Sequence, residues 1–303
     1  MVEPKFEDWI MEIIPFDDRD GTIWFDGEMV DWRDAKTHVL NHGLHYASSV
    51  FEGERAYNNK IFESEWHTKR FRESARLLDF KIPYTDEEII AAKQAVMKAN
   101  NITDGYIRPV AWRGSEMMAV SAQHSKIHVL IAAWKWDSYF DPDLKMKGIS
   151  LGIASWKRPS PESAPVHSKA AGLYMICTMS KHEAERQGYT DALMLDYRGY
   201  VAEATGANIF FMMDDGKIHT PKADCFLNGI TRQTVIKLAQ SMGYDVVERH
   251  IMPEELANVR ECFLTGTAAE VTPVSSIGDH HFNPGGLCRD VMDGYAKLVR
   301  GEA

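Results

Sequence analysis

Lys169 directly follows a loop with three prolines, KRPSPESAPVHS (157–168), and sits among Ser168, Ala170, Ala171 and Gly172. Small neighbours let a ligand approach the amine. A desolvated lysine sheds its charge and becomes a nucleophile toward carbonyl carbon. Taken alone, a solvated lysine at a helix start is the plainer reading. Glu203 stands in YVAEATGANIFF (200–211), an apolar stretch with strand character. The default for it is the exposed alternate face. Burial would need a cationic partner, because an unpaired buried charge is strongly destabilising, and a protonated pyridine nitrogen would be such a partner.

Other residues suit anions. Gly229-Ile230-Thr231 opens a helix, and free amides at a helix N-terminus beside a hydroxyl form a phosphate seat; most such threonines are simple caps. Gly266-Thr267-Ala268-Ala269-Glu270 is a second small-residue turn, directly after a strand. Arg70 could add a cation, but spacing does not separate it from Lys69 and Arg72. Arg108 can offer a bidentate fork to a carboxylate. Pro109 follows it and cannot donate to a ladder, so the strand is expected at an edge or broken there. His42 and His45 have a ligand-like spacing, but no carboxylate or cysteine completes a metal site.

The elements that must carry these residues follow from period and turn chemistry. TIWFDGEMV (22–30) and RAYNNKIF (55–62) read as hairpins turning on Asp26-Gly27 and Asn58-Asn59. Helical spacing covers 65–80 and 86–100, the second capped by Thr85 or Asp86. Strands fit 106–112 and 126–136. The polar stretch DSYFDPDLKMK (137–147), interrupted by Pro142, is the best boundary. Beyond it, strands fit 149–155, 191–196, 200–205, 208–213, 217–220, 261–266 and 271–278. Helices fit Ala170 to Gln187, 230–242 and 286–300. Clustered short strands with helices between the clusters predict an α+β chain in two domains rather than a doubly wound sheet. The expected division is an N-terminal extension (1–20), a small domain (21–140), a linker (141–148) and a large domain (149–303). No G-x-G-x-x-G follows a strand, which leaves a dinucleotide reading without support.

Composition narrows the class. The chain has 303 residues, with 34 Lys and Arg against 44 Asp and Glu, a net charge of −10. That balance argues against nucleic acid as the main partner. No run approaches the ~20 apolar residues that span a bilayer. The acidic start MVEPKFEDWIMEIIPFDDRDG fits neither a secretory nor an organelle signal. The four cysteines, Cys177, Cys225, Cys262 and Cys288, form no C-x-x-C pair and read as reduced, buried thiols. A cytoplasmic protein without membrane contact is expected.

In their order, IWFDGEMVDWRDAKTHVLNHGLHYASSVFEGERAY, YIRP, SKAAG, YVAEATGANIFF, NGITR and LTGTAAEVTPV resemble the class IV pyridoxal-phosphate aminotransferases, most closely the branched-chain amino acid aminotransferases. The resemblance implies fold type IV, similar to D-amino acid aminotransferase: a smaller N-terminal α/β domain and a larger C-terminal domain with a β-barrel-like core. It implies pyridoxal 5′-phosphate as cofactor, held covalently by Lys169. Glu203 would lie under the pyridine nitrogen, Tyr174 would contact the ring oxygen, and Arg70, Ile230, Thr231 and Thr267 would form the phosphate cup. Tyr46, Phe51, Gly53, Arg55, Tyr106, Arg108, Tyr139, Thr267 and Ala268 would bind substrate. Among these, Phe51, Tyr46 and Tyr106 would line an apolar pocket, and Arg108 with the Thr267 and Ala268 amides would receive a carboxylate. The implied reaction exchanges an amino group between leucine, isoleucine or valine and 2-oxoglutarate by ping-pong kinetics. The implied assembly is at least a homodimer with the site near its interface. The nearest alternative is an (R)-selective amine or D-amino acid transaminase of the same fold. Leu173, Ala171 and Ala207 depart from the commonest bacterial pattern at positions outside the implied catalytic set.

Overall fold

A computed structural model of the protein describes residues 14–136 and 145–302. The proposed linker falls partly, and the first residues of the N-terminal extension wholly, outside them. The first hairpin pairs β1 (Thr22–Phe25) with β2 (Glu28–Asp31). Its turn residues Asp26 and Gly27 both have left-handed φ, +50° and +102°. A two-residue loop between right-twisted strands demands this. A short helix α1 (His42–Tyr46) and strands β3 (Ser49–Phe51), β4 (Glu54–Tyr57) and β5 (Lys60–Ile61) follow. Asn58 and Asn59 make the β4–β5 turn, again with positive φ. Helices α2 (Ser64–Leu77) and α3 (Asp86–Ala99) come next, and Thr85 with Glu88 forms a reciprocal capping box on α3. Strands β6 (Gly105–Arg113) and β7 (Ile127–Lys135) complete an antiparallel sheet of order β2-β1-β7-β6-β4-β5, with β3 also on β6. Phe71, Ile89 and Val96 of the helices share its core with Ile107, Val129 and Ile131.

The Pro109 strand is neither at an edge nor broken. β6 runs through the middle of the sheet, paired along its length with β7. Its other neighbour is the one that breaks. β3 pairs with Val110–Trp112 and β4 with Gly105–Ile107. The Pro109 carbonyl accepts from the Glu52 amide at 2.9 Å, so the missing N–H of Pro109 also faces the gap between β3 and β4. That gap holds Glu52 and Gly53. A Cβ on Gly53 would sit 2.0 Å from the Tyr106 hydroxyl, so only glycine fits.

The second half opens with β8 (Ile149–Ile153) and continues to α4 (Met175–Arg186). The helix expected from Ala170 starts late: Ala170 is extended and bridged to Val50, and Ala171–Tyr174 form one 3₁₀ turn before α4. Strands β9 (Asp191–Leu195), β10 (Val201–Ala204), β11 (Asn208–Met213) and β12 (Ile218–Pro221) lead to α5 (Ile230–Ser241). Strands β13 (Val246–Arg249), β14 (Val259–Gly266), β15 (Glu270–Ile277) and β16 (His280–His281) precede the last helix, α6 (Gly286–Arg300). The sheet order is β10-β9-β8-β15-β14-β11-β12-β13, with β16 on β15. It is mixed: β8 runs parallel to β9 and β15, and β12 parallel to β13. β10 curls back toward β11, the Ala204 amide donating to the Ala207 carbonyl, so the sheet closes partway into a barrel. One face buries Leu151, Ile209, Phe211 and Leu264. The other packs under α5 and α6, where Phe210 and Phe263 stack at 5.0 Å. All four cysteines are buried free thiols. No described helix is long and apolar enough to cross a membrane.

Two charges are buried beneath the first sheet. Lys93 Nζ lies 2.6 Å from Glu54 Oε1, both side chains fully buried, and donates to Thr68 Oγ1 at 2.7 Å. Burial pushes the Glu54 carboxyl above its ordinary range, with Lys93 and then His67 opposing that shift. Lys93→Met strands the carboxyl and should destabilise the protein by about 3–5 kcal/mol in chemical unfolding. Glu54→Leu added to it should restore most of the loss. A double variant as unstable as the single one contradicts this reading.

Candidate active site

Lys169 stands between the two sheets because its main chain is bonded to the first half. The Phe51 amide donates to the Lys169 carbonyl at 3.1 Å, and the Lys169 amide donates to Ser74 Oγ at 3.0 Å. Ser168 Oγ donates to the Ser74 carbonyl at 2.9 Å, and Ser74 is fully buried on α2. The amine then points into a gap where Nζ meets Tyr174 Oη at 2.9 Å and lies 4.9 Å from the centre of the Phe51 ring. The Phe51 and Tyr174 rings meet edge to face.

Glu203 is buried, contrary to the exposed-face default. All four side chains of β10 are buried: Val201 and Ala204 face the core of the sheet and Ala202 packs on Cys225 and Phe226, so alternation brings none of them to water. Its carboxylate lies 3.3 Å from Arg158 Nε and accepts from Asn208 Nδ2 at 3.1 Å. Burial pushes the carboxyl up to about 7, against the pull of Arg158, Lys169 and Arg232. Asn208 also accepts from the Gly229 amide at 3.1 Å, which ties the carboxylate to the start of α5. A Cβ on Gly229 would sit 2.2 Å from Asn208 Oδ1, so that approach also needs glycine.

Arg70 differs from its neighbours by its partner. Its Nε and Nη2 donate to the two oxygens of Glu52 at 2.6 and 2.8 Å. His67 Nδ1 lies 2.7 Å from the same carboxylate. Burial alone would raise the Glu52 carboxyl, but Arg70 and then His67 overcome it and hold it well below the ordinary carboxylate range. With Nε and Nη2 turned to Glu52, Arg70 also borders a pocket. Arg70, Arg158, Lys169, Tyr174, Glu203, Gly229, Ile230, Thr231, Thr265 and Thr267 line it. Arg158 Nε and Thr265 Oγ1 are buried there without a hydrogen-bond partner. Three cations, a helix N-terminus and hydroxyls at a single pocket favour an anion.

A second pocket shares Lys169, Tyr174, Gly206 and Thr267 with the first. Its remaining lining is Ser49, Phe51, Gly53, Tyr106, Arg108, Val110, Ala171 and Ala268. Arg108 Nη2 donates to Tyr106 Oη at 3.0 Å and the guanidinium lies over the Phe51 ring at 4.6 Å, while its Nε is buried and unpartnered.

Of the residues singled out from sequence, Arg70, Lys169, Tyr174, Glu203, Ile230, Thr231 and Thr267 meet at the first pocket. Phe51, Gly53, Tyr106, Arg108, Thr267 and Ala268 meet at the second. Two do not line either pocket. Tyr46 is 46% exposed and stacks on His42 at 4.5 Å. Arg55 is buried against Glu270, with Nη1 3.3 Å from Oε1. Tyr139 lies outside the described residues. His42 and His45 bond separately to Ser48, Ala119 and Val39, and share no ligand. Glu52, His67, Ser74, Arg158, Asn208 and Thr265 were missed. Glu52, Asn208 and Thr265 lie inside the motifs quoted from the sequence, but nothing local sets them apart there.

The raised Glu203 carboxyl makes a stability claim. The folded chain keeps its proton up to about pH 7, whereas the unfolded chain releases it near the ordinary 4.5. Stability therefore falls as pH rises through that window and stays reduced above it. In the ligand-free protein Glu203→Gln should be more stable than wild type by about 1–3 kcal/mol at pH 8 and equal to it near pH 4. Thermal unfolding of both proteins across pH checks this; a difference that does not change with pH contradicts it.

Known proteins share this arrangement of elements. A family model described as amino-transferase class IV matches residues 49–277. A probable branched-chain-amino-acid aminotransferase of Rickettsia conorii is 46% identical over 84% of this chain and 86% of its own. The branched-chain-amino-acid aminotransferase of Pseudomonas aeruginosa is 41% identical over 94% of this chain and 95% of its own. Among solved structures, a T.th. branched-chain amino acid aminotransferase with pyridoxamine 5′-phosphate superposes with a TM-score of 0.91 at 38% identity, covering 94% of this chain and 96% of that one. The same enzyme complexed with N-(5′-phosphopyridoxyl)-L-glutamate gives a TM-score of 0.89 at the same identity and coverage. The chain belongs to the class IV aminotransferases and, within them, to the branched-chain amino acid aminotransferases.

Proposed function

We propose that the protein exchanges an amino group between L-leucine, L-isoleucine or L-valine and 2-oxoglutarate, with pyridoxal 5′-phosphate as its cofactor. The observation that carries this reading is the meeting of the Lys169 amine, the buried Glu203 carboxylate and the Arg70 guanidinium in the first pocket, which opens past Lys169 into the second. The residues fit a phosphorylated pyridine. Arg70, the start of α5 at Ile230 and Thr231, the orphaned Thr265 hydroxyl and Thr267 suit the phosphate. Glu203 suits a protonated ring nitrogen, whose charge would bring the carboxyl back down and keep it ionised at neutral pH. Tyr174 Oη suits the ring oxygen. Bound there, pyridoxal 5′-phosphate would supply an aldehyde that takes up an amino group and a ring that takes up electrons.

The chain's own residues do the rest. Lys169 Nζ moves the α-proton of the substrate. Phe51, Tyr106 and Val110 exclude water around a branched side chain. Arg108, with its unpartnered Nε, and the turn at Thr267 and Ala268 receive a carboxylate. An arginine at the border of an apolar site lets one pocket take a leucine side chain in one half-reaction and 2-oxoglutarate in the other.

We extend the proposal to organisation. Each sheet has its own apolar core, which supports a small domain over 21–140 and a large one over 149–303 joined by 141–148. Val39, Leu40, Leu44, Tyr46 and Val120 are exposed apolar residues. His42 Nε2, 2.9 Å from the Ala119 carbonyl, holds the loop bearing Val120 beside α1. That face supports a homodimer, and four buried free thiols fit a reducing compartment.

L-Leucine added to the cofactor-loaded protein without acceptor should yield one equivalent of 4-methyl-2-oxopentanoate per site, and 2-oxoglutarate added next should yield glutamate. Lys169→Ala should slow turnover by about 10²–10⁴-fold. Full turnover by that variant contradicts the assignment, and so does reaction with D-amino acids or (R)-amines but not with L-leucine.

A further inference from the structure

The turn between β14 and β15 is three residues long, Thr267–Ala269, and is followed by Glu270, the first residue of β15, with φ +52°. A left-handed backbone is one that glycine takes without strain and that other residues adopt at a cost. Here a glutamate holds the strained position. Its side chain is 13% exposed, and its carboxylate gathers three donors. Tyr57 Oη donates to Oε1 at 2.9 Å, and Arg55 Nη1 lies 3.3 Å from the same oxygen. Lys145 Nζ lies 3.4 Å from Oε2. Arg55 also donates Nη2 to the Trp136 carbonyl at 3.1 Å.

These partners come from different parts of the chain. Arg55 and Tyr57 are two apart on β4 and so project to one side of the first sheet. Trp136 and Lys145 flank the connection between the halves. Burial drives the Lys145 ammonium toward neutrality and Glu270 opposes it. Burial keeps the Tyr57 phenol protonated, hence a donor. Glu270 lines neither pocket. It reaches the site through the turn before it, where Thr267 and Ala268 line the second pocket and Thr267 also lines the first.

We propose that Glu270 is a positioning residue for the substrate: its carboxylate, clasped by Arg55, Tyr57 and Lys145, fixes the Thr267–Ala268 turn against the first half and thereby sets how tightly a substrate carboxylate is held. This rests on the reading that the turn receives that carboxylate. It also gives Arg55 a task at a distance from the pocket.

The test uses the cofactor-loaded protein and an unreactive probe, 4-methylpentanoate, which has the leucine skeleton without its amino group. Glu270→Gly relieves the backbone and removes the carboxylate; Glu270→Gln keeps the shape and removes the charge. With either variant the Kd for 4-methylpentanoate and the KM for L-leucine should rise about tenfold, with kcat within about threefold and cofactor affinity of the apoprotein within about twofold. Arg55→Met should raise the same constants, and Arg55→Met/Glu270→Gln should be no worse than the worse single variant. Should Glu270→Gly fail to fold, Glu270→Gln carries the test. Variants that bind the probe as wild type does, or that lose cofactor in parallel, overturn the inference alone. Wild-type protein that does not bind the probe overturns the substrate reading and this inference with it.

Discussion

The site exists because three residues of the second half are bonded into the first. Ser168, Lys169 and Ala170 are held by Ser74 on α2 and by the β3 backbone at Val50 and Phe51. Lysine has four rotatable carbons, and without a fixed main chain its amine would sample a wide volume. Fixed there, it reaches Tyr174 and the seam between two pockets that the separate sheets could not form. The carboxylate opposite comes from β10, the helix N-terminus from α5 and the apolar wall from β3 and β6. Each of these elements is positioned relative to Lys169 by the same stitch.

Around that stitch the protein keeps several charges out of water, and it treats them in two ways. Glu52 is fully satisfied by Arg70 and His67, so its charge is stable and its work is geometric: it aims a guanidinium. Glu203 is under-satisfied, with Arg158 at 3.3 Å and an amide donor only, so its carboxyl rises toward neutrality until a further cation arrives. A site that binds a protonated ring benefits from such an acceptor, at some expense of stability when empty. The break between β3 and β4 serves both pockets. It places Glu52 behind one and Gly53 at the wall of the other, and the proline of β6 marks where the break falls.

Much of the fold was legible in the sequence because its signals were local. The turns at Asp26-Gly27 and Asn58-Asn59 and the cap at Thr85 depend on adjacent residues, and their positions agree with the structure. Motif order grouped Lys169, Glu203 and Thr231, which are far apart in sequence, and the structure brings the three to one pocket. What was not legible was long-range. Arg70 could not be told from Lys69 and Arg72, because Glu52, eighteen positions earlier, distinguishes it. Pro109 pointed to an edge strand, yet the interruption belongs to its neighbours. Glu203 pointed to solvent under the rule of alternation, which fails because the second face of β10 is covered by the distant segment around Cys225 and Phe226. Arg55, grouped with the substrate residues by its motif, turns instead toward Glu270, 215 positions later in sequence.

If the proposed function is right, Lys169 is the lysine that meets pyridoxal 5′-phosphate in this pocket. Borohydride reduction of the protein loaded with pyridoxal 5′-phosphate, followed by proteolysis and mass spectrometry, tests it directly. The account predicts a stable phosphopyridoxyl group on the peptide containing Lys169, at one per chain. A label on other lysines, or none on that peptide, contradicts it.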